Sequence, residues 1–201
     1  MKQQIIVIHG GETFNTYKEY LSSLKRLRID FKRYQTERIG WKNTLGKKLG
    51  KRFEVISPDM PNKKNVKYLE WKIWFEKFIP YIKPNVILVG HSLGGLFLVK
   101  YLSENKFPKK ISATILVAAP YDDRCSKYHS AGFILPKSLK KFQKQGGKVF
   151  IYQSKDDPFV PFSDFKKYQK NLKNSTCRVF TNKGHFNLES FPELVKDIKK
   201  L

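Results

Sequence analysis

Ser92 stands in Gly90-His91-Ser92-Leu93-Gly94, entered by the apolar run Val86-Ile87-Leu88-Val89 and left by Leu96-Phe97-Leu98-Val99. A strand, a sharp turn and a helix are expected there, and the two glycines remove the Cβ atoms that would hold strand and helix apart. The turn puts the Ser92 hydroxyl on a rigid mount. A serine hydroxyl is a poor nucleophile at neutral pH, so it needs a base within reach and a carboxylate that fixes the base's tautomer. Both follow along the chain: Asp156 and Asp157 after one expected strand, His185 after the next. The N–H of Leu93, at the positive end of the helix, is aimed where an oxyanion would form. Gly10-Gly11, closing the first strand, lets another backbone N–H face the same space. Such a set could carry acyl transfer from an ester-like carbonyl to water.

The elements that must position these groups alternate. Strands are expected at Gln4 to Ile8, Phe53 to Ile56, before Ser92, at Ile111 to Ala119, Lys148 to Gln153 and Thr176 to Phe180. Between them, Trp71, Trp74, Phe75, Phe78, Ile79 and Ile82 mark one amphipathic helix, whose aromatics read as core. Lys137 to Gln145 and Phe162 to Leu172 read as two more. Ser190 with Glu193 reads as a capping box for a last helix striped by Phe191, Leu194, Val195 and Ile198. Tyr17, Tyr20, Leu21, Leu24 and Leu27 follow helical spacing, as do Trp41, Leu45 and Leu49. A crossover needs only one helix, so the surplus from Leu27 to Trp41 is expected to be a surface excursion. Apolar strands without polar alternation, interleaved with helices, predict an α/β fold with a mostly parallel sheet and helices on both faces, its site at the strand C-termini. Tyr121 to Pro136, of mixed character, follows a strand end and is expected to overhang that site as a minimal cap.

A chain of 201 residues fits a single domain spanning 1–201. No run reaches membrane-spanning length, and Ile5 to Ile8 is too short for a signal-peptide core. The two cysteines, Cys125 and Cys177, lack metal-ligand spacing, so reduced thiols and a cytoplasmic location are expected. The four histidines fall in four different loops, so no metal is expected, nor any cofactor. His9 and His91 read as structural hydrogen-bonding groups. The formal charge of +23 attracts nucleic acid or anionic lipid without specifying either, and no nucleic-acid signature accompanies it. Gly40 to Lys48 fails as a phosphate loop, because Lys48 stands where Ser or Thr is needed.

The order serine, aspartate, histidine, with Asp156-Asp157-Pro158-Phe159-Val160-Pro161 and Gly184-His185-Phe186-Asn187, resembles the α/β-hydrolase family, and within it the compact serine hydrolases typified by a retinoblastoma-binding protein. The resemblance runs from His9-Gly10 to the final helix. It implies Ser92 as nucleophile, His185 as general base, and Asp157, the carboxylate preceding x-x-Val-Pro, as orienter. Asp156 is left to accept loop N–H bonds. The oxyanion hole it implies uses the N–H groups of Leu93 and Gly11, with Glu12 the alternative to Gly11.

The reading is a serine hydrolase acting on small carboxylic esters or thioesters through an acyl-enzyme. A short cap implies an open pocket and argues against long-chain lipase activity. Lys155 and Lys183, near the site loops, suggest a preference for anionic acyl groups. The alternative is a protein-binding module that keeps the fold with an idle triad. The partners expected are a small acyl substrate and, on the alternative, a protein; no specific nucleic acid is expected, and oligomeric state is open.

Overall fold

The structure, a computed structural model, describes residues 2–31, 35, 40–122 and 132–201. Six strands, β1 (Gln3–Ile8), β2 (Phe53–Ile56), β3 (Val86–His91), β4 (Ile111–Val117), β5 (Lys148–Ser154) and β6 (Thr176–Phe180), form one sheet in the order β2-β1-β3-β4-β5-β6. Every pairing is parallel, a step further than the mostly parallel sheet expected. Register brings Ile5 beside Ile87, Val89 beside Ile115 and Ile115 beside Phe150. Successive residues of a strand point to opposite faces. Here both faces are covered, which is why the strands read as unbroken apolar runs.

Ile6, Ile8 and Leu88 pack on the face covered by Trp71 and Phe75 of α3 (Tyr68–Phe78), by α4 (Leu93–Glu104), by Phe142 of α5 (Lys140–Gln145) and by Phe165 of α6 (Phe162–Asn171). Ile5, Val7, Ile87 and Val89 pack on the other face, under Trp41 and Leu45 of α2 (Trp41–Leu49) and Leu194 and Ile198 of α7 (Pro192–Lys199). The crossover from β1 to its neighbour β2 is therefore made by α2. The preceding α1 (Tyr17–Arg26) buries none of its residues, so the surplus of this connection begins before Leu27. Among the described residues no helix is long and apolar enough to cross a membrane.

The capping box expected at Ser190 and Glu193 is not formed. α7 begins one residue later, with Phe191 as N-cap and Pro192 in its first turn, where the fixed φ of proline suits it. Glu193 instead reaches Lys183 at 3.1 Å. The box that does form is at α1, between Thr16 and Glu19.

From β1 the chain moves outward to β2 and then crosses back to β3 on the other side of β1, so a crevice opens beyond the C-terminal ends of β1 and β3. α4 is driven hard into that crevice. A Cβ on Gly94 would lie 2.3 Å from the Ile8 carbonyl oxygen and 2.6 Å from that of His9, both backbone atoms. Gly46, inside α2, is different: an added Cβ would meet only the Val55 side chain at 3.6 Å, an ordinary contact. We expect Gly94→Ala to destabilise the protein by about 2 kcal/mol or more through overpacking, and Gly46→Ala to stabilise it by roughly 0.5–1 kcal/mol through helix propensity. Urea titration of the two variants beside the parent checks both signs.

Candidate active site

Ser92 closes β3 with φ 55° and ψ −128°, a conformation unusual for a residue with a Cβ and costing of order 1–3 kcal/mol. The surroundings enforce it. The Ser92 N–H donates to the Val117 carbonyl at 2.8 Å. A Cβ on Gly90 would fall 2.5 Å from both the Gly94 oxygen and the Gly95 Cα, so strand and helix approach as closely as glycine allows. Leu93 opens α4, a helix of 12 residues, so its N–H has no intrahelical acceptor and lies at the positive end of the helix dipole.

The loop after β1 is held by its own histidine. His9 Nε2 accepts the Met60 N–H at 2.9 Å, so Nδ1 carries the ring proton and meets the Gly10 carbonyl at 2.6 Å. Burial, the largest influence, holds the His9 pKa below the usual histidine value. In a trans peptide the Gly11 N–H points opposite to that fixed Gly10 carbonyl. Glu12 N–H is already engaged with the Lys63 carbonyl at 2.9 Å, whereas Gly11 N–H has no partner among the described residues. A Cβ on Gly11 would collide with Val66 at 2.5 Å.

His185 follows β6. Its Nδ1 lies 2.9 and 3.1 Å from the two Asp157 carboxylate oxygens. Asp157 Oδ1 also accepts the N–H groups of Phe159 at 2.9 Å and Val160 at 3.0 Å, and the carboxylate is fully buried. A carboxylate that only accepts leaves the proton of a neutral ring on Nδ1 and the lone pair on Nε2. Asp156 points elsewhere, accepting the Ser154 hydroxyl and the Gly184 N–H, the latter at 3.1 Å. The Ser154 hydrogen bond, foremost, lowers its pKa.

Three residues that the sequence reading did not assign to the site hold the His185 loop from below. Trp41 Nε1–H donates to the Phe186 carbonyl at 2.9 Å, and His91 Nε2 meets the His185 carbonyl at 2.8 Å. Lys42 Nζ lies 3.2 Å from His91 Nδ1 and can only donate, so Nδ1 accepts and Nε2 carries the proton given to His185. Burial, aided by the nearby Lys42 charge, keeps the His91 pKa well below the ordinary value. His91 and His9 are thus hydrogen-bonded supports, as their positions in the sequence suggested.

Ser92, His185, Leu93 and Gly11 line one cleft of about 1080 Å³. Leu96, Phe133, Ile134, Phe159 and Val160 give it an apolar wall. Of the segment expected as a cap, residues 123–131, with Cys125, Tyr128 and His129, lie outside the described residues. Both of its roots are anchored. Asp164 accepts the Tyr121 N–H at 2.9 Å and Lys167 reaches Asp122 at 2.7 Å. At the far end the Phe133 ring meets Tyr68 and Trp71 edge-on, and Lys100 donates to the Ile134 carbonyl at 2.9 Å. The lysines expected to favour anionic acyl groups do not line the cleft: Lys183 is paired with Glu193, and Lys155 lies over the Phe162 ring. Among the described residues the cations at its wall are Lys42, Lys63, Lys64 and Lys137, of which Lys64 faces Glu12 at 3.6 Å. Acidic Glu12, Asp59 and Asp122 share the same lining, so the expected anionic preference loses its basis.

The family model described as Serine hydrolase matches residues 34–196. The chain is 25% identical over 151 residues to the serine hydrolase RBBP9 of Rattus norvegicus, spanning 74% of this chain and 78% of that protein. The crystal structure of the ydeN gene product of Bacillus subtilis aligns with a TM-score of 0.70 at 19% identity, over 99% of this chain and 98% of that one. A crystal structure of the serine hydrolase CarC, involved in carbazole degradation, aligns with a TM-score of 0.64 at 17% identity, over 98% and 90%. At these identities the structural likeness shows the fold, that of the α/β-hydrolases.

Proposed function

The chain belongs to the serine hydrolase family, and from that premise we propose that it cleaves small carboxylic esters or thioesters through an acyl-enzyme on Ser92. In this reading His185 is the general base and Asp157 its orienting carboxylate. Ser92 Oγ attacks the carbonyl carbon while His185 Nε2 takes its proton. The tetrahedral oxyanion accepts the N–H groups of Leu93 and Gly11. Collapse breaks the bond to the alcohol or thiol, which leaves with the proton from His185. A water then gives its proton to His185 and attacks the acyl carbon, and the acid departs as Ser92 regains its proton.

The observation that carries the reading is the Asp157–His185 contact, with Asp157 fixed by two backbone N–H groups and with His185 and Ser92 lining the same cleft. The engaged Glu12 N–H favours Gly11 as second oxyanion donor. The shortness of the segment between β4 and α5, as read from the sequence, favours small acyl groups.

A fluorophosphonate probe tests the reading against an idle site. We expect stoichiometric labelling of Ser92 in native protein and none after heat denaturation. A native protein that stays unlabelled, or is labelled elsewhere, would overturn the proposal and leave the fold as a binding module.

A further inference from the structure

Helix α1 leaves its apolar side without a buried residue. At about 100° per residue, Tyr17, Tyr20, Leu21 and Leu24 share one side, with Lys18 and Lys25 flanking it and Arg26 opposite. Tyr17 is 66% exposed, Leu21 39% and Leu24 40%, while Tyr20 is half-buried beside the Phe14 and Tyr17 rings, and the chain beyond continues exposed through Leu27, Ile29 and Phe31. Ser22 and Ser23, on the polar side, are half-buried. A surface helix normally turns its apolar stripe onto the core, whereas α1 buries none of its residues. The helix does not depend on packing for its start: Thr16 Oγ1 accepts the Glu19 N–H at 3.1 Å, and the Glu19 carboxylate accepts the Asn15 N–H at 3.0 Å.

We propose that this face of α1 docks on an anionic lipid surface, with the helix lying in the headgroup plane. Charge selects the occupant. Lys18 and Lys25 flank the apolar face and Arg28 follows the helix, Glu19 is occupied in the cap, and the chain carries a formal charge of +23. Nucleic acid would meet the cations and leave the leucines in water. A second copy would cover the leucines and bring two strongly cationic chains together. An anionic bilayer meets both needs, because its interface takes up the apolar side chains while its headgroups attract the lysines and arginines. The helix is joined through residues 14–16 to Glu12 and Thr13 at the cleft, and Lys67 Nζ fastens the Phe14 carbonyl at 2.7 Å. Docking there would hold the cleft close to the lipid plane. The inference does not depend on the hydrolase reading.

Co-sedimentation of the full chain with phosphatidylcholine vesicles containing roughly one third phosphatidylglycerol tests it, beside vesicles of phosphatidylcholine alone. The expected result is binding to the anionic vesicles, and at least about a tenfold weaker partition for the Leu21→Glu/Leu24→Glu variant. Leu21→Ser/Leu24→Ser, which leaves the charge unchanged, should lose most of the same affinity. Circular dichroism and the unfolding midpoint of each variant establish that the fold is kept. Undiminished binding by the two serine substitutions would reduce the effect to charge and overturn the proposal. So would absence of binding to the anionic vesicles at low salt, or light scattering that shows a dimer of the parent chain dispersed by the substitutions.

Discussion

Ser92→Ala is expected to lower kcat for p-nitrophenyl acetate by about four to six orders of magnitude while leaving the unfolding midpoint close to that of the parent. The stability half of this expectation comes from the backbone. Ser92 holds φ 55° because strand, helix and the Val117 carbonyl fix it there, and alanine carries the same Cβ into the same place. Only the hydroxyl is removed. The activity half follows from the proposed mechanism, in which without Oγ no acyl-enzyme would form and only the oxyanion donors would remain. His185→Ala should cost about as much, and the double variant little more than either alone, because nucleophile and base act as one unit. Stopped assays with purified variants decide it: a Ser92→Ala protein that keeps most of its turnover removes this hydroxyl from the reaction.

What could be read from the sequence were features whose cause is local. The elbow is written in glycine spacing, and the structure repeats the reason, since Cβ atoms at Gly90 and Gly94 would strike backbone on the neighbouring element. The central strands β1, β3, β4 and β5 were legible because a sheet covered on both faces favours unbroken apolar runs. The Asp157 environment is also local, its carboxylate turning back onto the N–H groups two and three residues ahead. Contacts made across the fold left no such trace. Lys42 and His91 meet over 49 positions, and His91 meets the His185 carbonyl over 94. Lys155 and Lys183 lie near the site in sequence, yet their ammonium groups are drawn to Phe162 and Glu193. Periodicity had limits of another kind. It tells which side chains of α1 share a face, but not whether anything covers that face, and none of α1 is buried.

Asp157→Asn is expected to cost about four orders of magnitude in kcat, and Asp156→Asn less than about tenfold. The difference lies in what each amide would have to donate and accept. Oδ1 of Asp157 receives the Phe159 and Val160 N–H groups, so the asparagine oxygen must stay there and its NH2 must take the position of Oδ2. That position faces His185 Nδ1 at 2.9 Å. A donor there pairs with an Nδ1 lone pair, which moves the ring proton to Nε2 and leaves the histidine unable to accept from Ser92. The same NH2 would also oppose the Gln153 amide donor at 3.4 Å. The amide introduced by Asp156→Asn, by contrast, keeps an oxygen for the Gly184 N–H and the Ser154 hydroxyl, and both partners sit outside the proton path. Nitrogen NMR of labelled histidine gives a readout that loss of packing would not imitate: the neutral His185 tautomer should invert in Asp157→Asn and stay unchanged in Asp156→Asn. If the Asp156 substitution proved the costlier in kcat, the orienting carboxylate would have to be reassigned, whatever the spacing to Val160 and Pro161 suggests.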